Sequence, residues 1–186
     1  MVLNVRRALA PALAAAVSVT AVSLGATLGV ALAPAGAAAQ ELGLPVGTAA
    51  PAAAVETLDG APADLAKVVA GRPALVEFWA TWCPNCKALE PQVTAVAAKY
   101  GARLQVVTVA VSVNQTPERV RRYVAARRLP GTVLFDRRGA ATAAYDAPAT
   151  SYVLVLDRAG KVVYTGQGSE QDLDAAVRKA VGPTTR

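Results

Sequence analysis

Leu75-Val76-Glu77-Phe78-Trp79-Ala80-Thr81-Trp82-Cys83-Pro84-Asn85-Cys86 constrains this chain more than any other stretch. Leu75 to Trp79 are apolar or aromatic apart from Glu77, which predicts a strand inside a sheet. From Lys87 onward Leu89, Val93, Val96 and Ala97 recur at helical spacing, and Gly101 supplies the stop. Cys83 therefore falls at the mouth of a helix, where unpaired N–H groups and the macrodipole favour an anion. A thiol in that setting becomes a thiolate, and so a nucleophile, near neutral pH. Cys86 lies one turn further in on the same face, within reach of Cys83. Pro84 suits the first helical turn, where its missing N–H has no partner to lose.

The chain has 186 residues, enough for one domain with a full core, and it holds two cysteines and no histidine. That absence excludes several chemistries. Lys87 stands where a c-type haem attachment needs histidine. A zinc site lacks two of its four ligands unless carboxylates or a partner chain complete it. Cys–His and Ser–His catalysis are excluded, and copper delivery lacks its third ligand. No cofactor or metal is expected. The two thiols form either a redox pair or a structural staple. A staple normally closes a long loop, and one spanning two residues restrains little, so the redox pair is the stronger reading.

Residues 1–39 read as a signal peptide. Arg6 and Arg7 make a positive start, Ala8 to Leu32 is rich in Ala, Leu and Val, and Ala37-Ala38-Ala39 offers a cleavage site. The alternative is an uncleaved membrane anchor over residues 8–32, since the apolar run approaches the ~20 residues that span a bilayer. Either outcome places the folded part outside the cytoplasm, periplasmic or secreted. Removing residues 1–39 takes two arginines and no acid from the formal +6, leaving +4. The paired arginines at 121–122, 127–128 and 137–138 have few aromatics among them, so a solvated surface is expected rather than a nucleic-acid site.

Residues 40–47 read as a flexible lead, and the folded domain as 48–186. Ala53 to Thr57 predicts an edge strand, Asp59-Gly60 a hairpin turn, and Asp64 the cap of a short helix from Leu65 to Ala70. Val-rich Leu104 to Val113 predicts a strand buried on both faces. Thr116-Pro117-Glu118 opens a helix to about Arg128. A short strand at Thr132 to Phe135, a helical turn near Ala141 to Tyr145, a hairpin of Tyr152–Leu156 and Val162–Thr165, and a last helix from Asp172 to Val181 follow. This order predicts an α/β fold with a mixed central sheet flanked by helices.

The Phe78 to Cys86 run resembles the active-site signature of the thioredoxin superfamily, in particular its exported TlpA-like thiol–disulfide oxidoreductases. Pro91, five residues after Cys86, is similar to the proline that kinks the active-site helix, and the Leu58-Asp59-Gly60 and Asp157-Arg158-Ala159-Gly160 turns fit the same pattern. The resemblance covers about residues 48 to 181. It implies a thioredoxin-like three-layer fold with an extra N-terminal β-hairpin. It further implies an enzyme that reduces protein disulfides, acting as a monomer through Cys83 and Cys86. Expected partners are protein disulfides, apocytochrome c among them during cytochrome c maturation, and a membrane thiol electron donor. Disulfide oxidation or isomerisation, or a binding or chaperone role with weak turnover, are the alternatives.

Two positions depart from the family. Its cis-proline is replaced by Ser151, preceded by Thr150, and Pro148 lies three residues too early. A cis bond before a non-proline costs about 2.5–4 kcal/mol, so Thr150–Ser151 is expected to be trans, or cis under strain. Ser151 either donates a hydrogen bond to Cys83 or is a tolerated substitution. Leu89 stands where many members carry a glutamate, and Glu90 is about 100° further round the helix. The acid role then falls to Glu77, matching a buried acid of thioredoxins. Burial raises a carboxyl's pKa toward the range useful for taking a proton from Cys86. The competing reading leaves Glu77 at a strand edge with its carboxylate in solvent. Trp82 is expected to cover the dithiol and Trp79 to pack. Pro84 and Asn85 shape the loop between the sulfurs.

Overall fold

The computed structural model describes residues 43–182. The segment read as a signal peptide or anchor lies outside them, as do the first three residues of the lead. In chain order the elements are β1 (Ala54–Thr57), β2 (Pro62–Asp64), α1 (Leu65–Val68), β3 (Ala74–Trp79), α2 (Pro84–Tyr100) and β4 (Gln105–Val111). After these come α3 (Pro117–Arg127), β5 (Thr132–Asp136), α4 (Ala140–Ala144), β6 (Tyr152–Leu156), β7 (Val162–Gln167) and α5 (Leu173–Val181). A 3-10 turn at Gly101–Arg103 joins α2 to β4.

Among the described residues the strands make one sheet in the order β2-β1-β5-β4-β3-β6-β7. β3 pairs parallel with β4 and β4 parallel with β5, whereas β6 and β7 and the β1–β2 hairpin run antiparallel. The extra N-terminal hairpin is thus an edge extension on β5. Parallel neighbours require helical crossovers, and α2 and α3 supply them. All six residues of β3 are buried, which a strand needs when both faces carry helices.

Alternation along β3 divides the core. Val76 and Phe78 pack with α1 and α4 through Leu65, Val69, Ala141 and Tyr145. Leu75 packs with α2 and α5 through Leu89, Val93, Leu173 and Val177. Trp79 joins Cys83, Cys86 and Val120 on the α2–α3 side. Three layers result, as expected.

The helix ends match their sequence signals. Asp64 accepts from Lys67 N at 3.1 Å and caps α1. Thr116 accepts from Arg119 N at 3.3 Å and caps α3. Asp172 accepts from Ala175 N at 2.9 Å and caps α5. One glycine is obligatory. Gly131 has φ +86, and a Cβ there would lie 2.1 Å from Val106 O, so only glycine lets the chain enter β5 beside β4.

The described part of the lead, read from sequence as flexible, is hydrogen-bonded to the sheet. Gly47 N donates to Val162 O at 2.7 Å and Ala50 N to Gly160 O at 2.8 Å. Leu44 N donates to the Tyr152 hydroxyl at 3.0 Å. The backbone bonds lay residues 47–50 along the start of β7, because that edge offers unpaired groups, and the Leu44 bond ties the chain to β6.

Candidate active site

Cys83 is the N-cap of α2, in extended backbone at φ −76° and ψ 117°. Its Sγ accepts from Cys86 N at 3.1 Å, so a sulfur takes the place of the capping oxygen at a helix start. Pro84 holds the first helical position. Cys83 and Cys86 are joined by a disulfide with Cα atoms 5.4 Å apart. The pairing left open by spacing is therefore present. Both cysteines are buried, Cys83 at 2% and Cys86 at 3% exposure. Pro84 and Asn85, between them, face solvent.

The loop before Cys83 is held by two bonds. Trp82 is 39% exposed, and its Nε1 donates to Val113 O at 2.8 Å. Thr81 N donates to Gln115 Oε1 at 2.9 Å, and Gln115 Nε2 donates to Val111 O at 2.5 Å. Gln115 was not singled out in the sequence, where nothing distinguishes it from a surface polar residue of a loop. Beside Trp82 lies an apolar cavity of about 350 Å³, bounded by Phe78, Val111, Val113, Pro148 and Thr150. Thr150 thus lines the same cavity as Trp82, the residue before Cys83.

No cis peptide bond occurs among the described residues, so Thr150–Ser151 is trans. Ser151 instead takes φ +63°, a left-handed conformation uncommon outside glycine. Three bonds hold it there. Its N–H donates to Phe78 O at 2.8 Å, its carbonyl accepts from Gln171 Nε2 at 3.2 Å, and its hydroxyl oxygen accepts from Gly168 N at 3.1 Å. Among the described residues the only hydrogen bond to Cys83 Sγ comes from Cys86 N, so Ser151 makes no bond to the sulfur. Its role here is to turn the chain between the 147–150 loop and β6.

Glu77 points inward. Leu75 and Trp79, its neighbours on the same face of β3, pack toward α2, and Glu77 is 5% exposed. This excludes the strand-edge reading. Its carboxyl, together with Cys86, Trp79, Thr108 and Glu90, lines a small cavity of about 10 Å³, room for about one water. Among the described residues Glu77 Oε1, Trp79 Nε1 and Thr108 Oγ1 have no hydrogen-bond partner. Burial, and secondarily the Glu90 carboxylate, push the Glu77 pKa up to about 8 from an ordinary 4.5. At neutral pH the group is mostly the neutral acid.

Glu90 was expected to turn away, being one residue off the family position. It nonetheless reaches the cavity, because Cys86 and Glu90 are four apart on α2 and share a face. Tyr123 Oη donates to Glu90 Oε1, and Arg127 Nε donates to Oε2 at 2.8 Å. Burial and the Glu90 hydrogen bond push Tyr123 up to about 12, so it stays a neutral donor. Trp79 packs against Tyr123 in a tilted arrangement with ring centroids 5.6 Å apart. The i,i+4 spacing from Cys86 was the available signal for Glu90. Tyr123 and Arg127 carried none.

A family model described as Redoxin matches residues 45–181. The chain belongs to the Redoxin family. Its thioredoxin-superfamily membership also shows in sequence. A thioredoxin from Mycolicibacterium smegmatis is 38% identical over 63 residues, which is 34% of this chain and 55% of that protein. The chain thus spans about half the length of that curated relative. Among solved structures, a secreted Mycobacterium tuberculosis disulfide oxidoreductase described as homologous to E. coli DsbE is 26% identical. It aligns over 68% of this chain and 92% of its own, with TM-score 0.58. The thioredoxin domain of a thiol-disulfide oxidoreductase from Bacteroides vulgatus shares the fold at TM-score 0.65 and 20% identity, over 75% of this chain and 99% of its own. The residues of this redoxin that line its dithiol are those described above.

Proposed function

We propose that this redoxin is an exported thiol–disulfide oxidoreductase that reduces protein disulfides through Cys83-Pro84-Asn85-Cys86. The observation that carries the reading is the pairing of a helix-capping sulfur with a buried, neutral acid behind the second sulfur. In the reduced protein, Cys83 thiolate attacks a substrate sulfur and forms a mixed disulfide. Ionised Glu77 takes the proton of Cys86, directly or through one water. Cys86 then attacks Cys83, closing the disulfide and releasing the substrate as a thiolate. Two electrons pass from the dithiol to the substrate.

The reductive direction rests on the loop between the cysteines. Dedicated oxidants stabilise the thiolate so strongly that the disulfide becomes a potent electron acceptor, at about −120 mV against about −270 mV for thioredoxin. Here only Asn85 and the helix end are available, with no histidine in the chain. Export is supported by the character of residues 1–39 and by the Mycobacterium tuberculosis structure, described as secreted. Among the described residues no helix is long and apolar enough to cross a membrane. Substrates are disulfide-bearing proteins, apocytochrome c included, with a membrane thiol donor to restore the reduced state.

A glutathione redox titration together with an insulin-reduction assay tests this. The expected result is a potential nearer thioredoxin's than the oxidant's, and turnover abolished by Cys83→Ser. Oxidant-like equilibrium would reverse the direction, and absent turnover would leave a binding module.

A further inference from the structure

Two spaces share a wall on the α2–α3 side of the dithiol. The inner one is the small cavity shared by Cys86 and Glu77. The outer one is an open surface groove of about 630 Å³ between α2 and α3, bounded by Thr94, Ala98, Ala126 and Arg127. Glu90 and Leu129 line both spaces, and Glu90 is the polar member of that pair. Its side chain is 13% exposed, enough to touch solvent while standing in the cavity wall. The apolar cavity beside Trp82 and Thr150, where a substrate would lie, shares no lining residue with either space.

This separation answers a problem that the exchange chemistry creates. A protein docked against Trp82 and Thr150 covers the sulfurs, yet the proton drawn from Cys86 must still leave. Water cannot carry it out past a packed substrate. We propose that this proton leaves through Glu90 into the groove between α2 and α3, on the side away from the substrate.

The inference rests on the oxidoreductase reading, and the step balances within it. The Cys86 S–H bond breaks and its proton passes to a Glu77 oxygen. The Cys86 thiolate forms the new S–S bond to Cys83 as the substrate thiolate departs with the electron pair. Glu77 then returns its proton to solvent by way of the cavity and the Glu90 carboxylate. Arg127 holds Glu90 Oε2 with both Nε and Nη2, whereas Oε1 accepts from Tyr123 and keeps a further lone pair for the transfer. They also fix the carboxylate in the wall between the two spaces. The titratable or charged groups gathered here are Glu77 on β3, Cys86 and Glu90 on α2, and Tyr123 and Arg127 on α3. From β4 comes Thr108, which does not titrate. In this arrangement Glu90 positions and passes a proton without touching the reacting sulfurs.

The test is rapid mixing of the reduced full chain with a disulfide-bonded protein, insulin, following decay of the mixed disulfide across neutral pH. Formation of the mixed disulfide should be the same in wild type and in Glu90→Ala. Its resolution should slow on the order of tenfold in the variant, less than the loss of a general base itself because Glu77 still takes the proton from Cys86. Added acetate, which fits the space left by the side chain, should restore the rate. Glu90→Gln keeps the side-chain shape but carries no exchangeable carboxyl proton. It should be slow and unresponsive to acetate, which guards against loosened packing in the alanine variant. Wild-type resolution rates in both variants, or slowing that acetate does not relieve in Glu90→Ala, would overturn the relay alone. A wild-type chain that forms no mixed disulfide would overturn the oxidoreductase reading and the relay with it.

Discussion

Glu77 and Cys86 line one buried cavity, the first from the middle of β3 and the second from the opening turn of α2. Their meeting couples the chemistry of the dithiol to the titration of a carboxyl buried away from bulk solvent. A group with a pKa of about 8 is ionised in only about a tenth of molecules at pH 7. Resolution of the mixed disulfide should therefore quicken as pH rises through about 8, as the base form of Glu77 fills. Glu77→Gln should lower the rate on the order of a hundredfold and remove that rise. Stopped-flow resolution rates over pH check it, and an unchanged profile removes Glu77 from the mechanism.

The same carboxyl makes stability depend on pH. Its folded pKa lies above its unfolded value, so between about 4.5 and 8 the native state holds a proton that the unfolded chain has lost. Stability then falls as pH rises through that window and levels off above it, by on the order of a few kcal/mol. Urea midpoints of the wild type should decline across the window. Those of Glu77→Gln should stay level, leaving the variant the more stable protein at alkaline pH.

Ser151 yields a prediction opposite to the one its alignment invites. Restoring a proline there places a residue fixed near φ −65° where the chain has +63°, and removes the N–H that bonds Phe78 O. Ser151→Pro should cost roughly 3 kcal/mol or more, read as a lowered denaturant midpoint. Ser151→Gly, which suits the conformation, should stay within about 1 kcal/mol of wild type after losing its bond to Gly168.

Trp82 ties the Cys83 loop to the loop after β4 through its bond to Val113 O. Trp82→Phe removes that tie and should cost about 1 kcal/mol. Because Cys83 is buried in the closed form, a looser loop should speed reduction by dithiothreitol several-fold. Equal reduction rates would mean that this loop does not limit access to the sulfur.

Most of the fold is legible in the chain because its signals are local. Asp64, Thr116 and Asp172 cap the helices they precede, Gly101 follows α2, and the Asp59-Gly60 and Asp157 to Gly160 turns set the hairpins. The cysteines were legible for the same reason. The facing of Glu77 was not, since a strand apolar on both sides gives alternation nothing to act on, and only the packing of Leu75 and Trp79 decides it. Glu90 was obscured by comparison with the neighbouring position Leu89, although its spacing from Cys86 already placed it on the right face. The left-handed turn at Ser151 depends on partners at Phe78, Gly168 and Gln171, distant in sequence and so invisible to local reading.

The central claim is that a sulfur capping α2 is acidified enough to attack a disulfide. Alkylation of the reduced chain by iodoacetamide, with Cys86→Ser to isolate Cys83, measures it most directly when the rate is followed against pH. The account predicts a half-maximal rate at least about one pH unit below the ~8.5 of a free cysteine. A midpoint at or above that value, or a Cys83 that stays unreactive throughout, would contradict it.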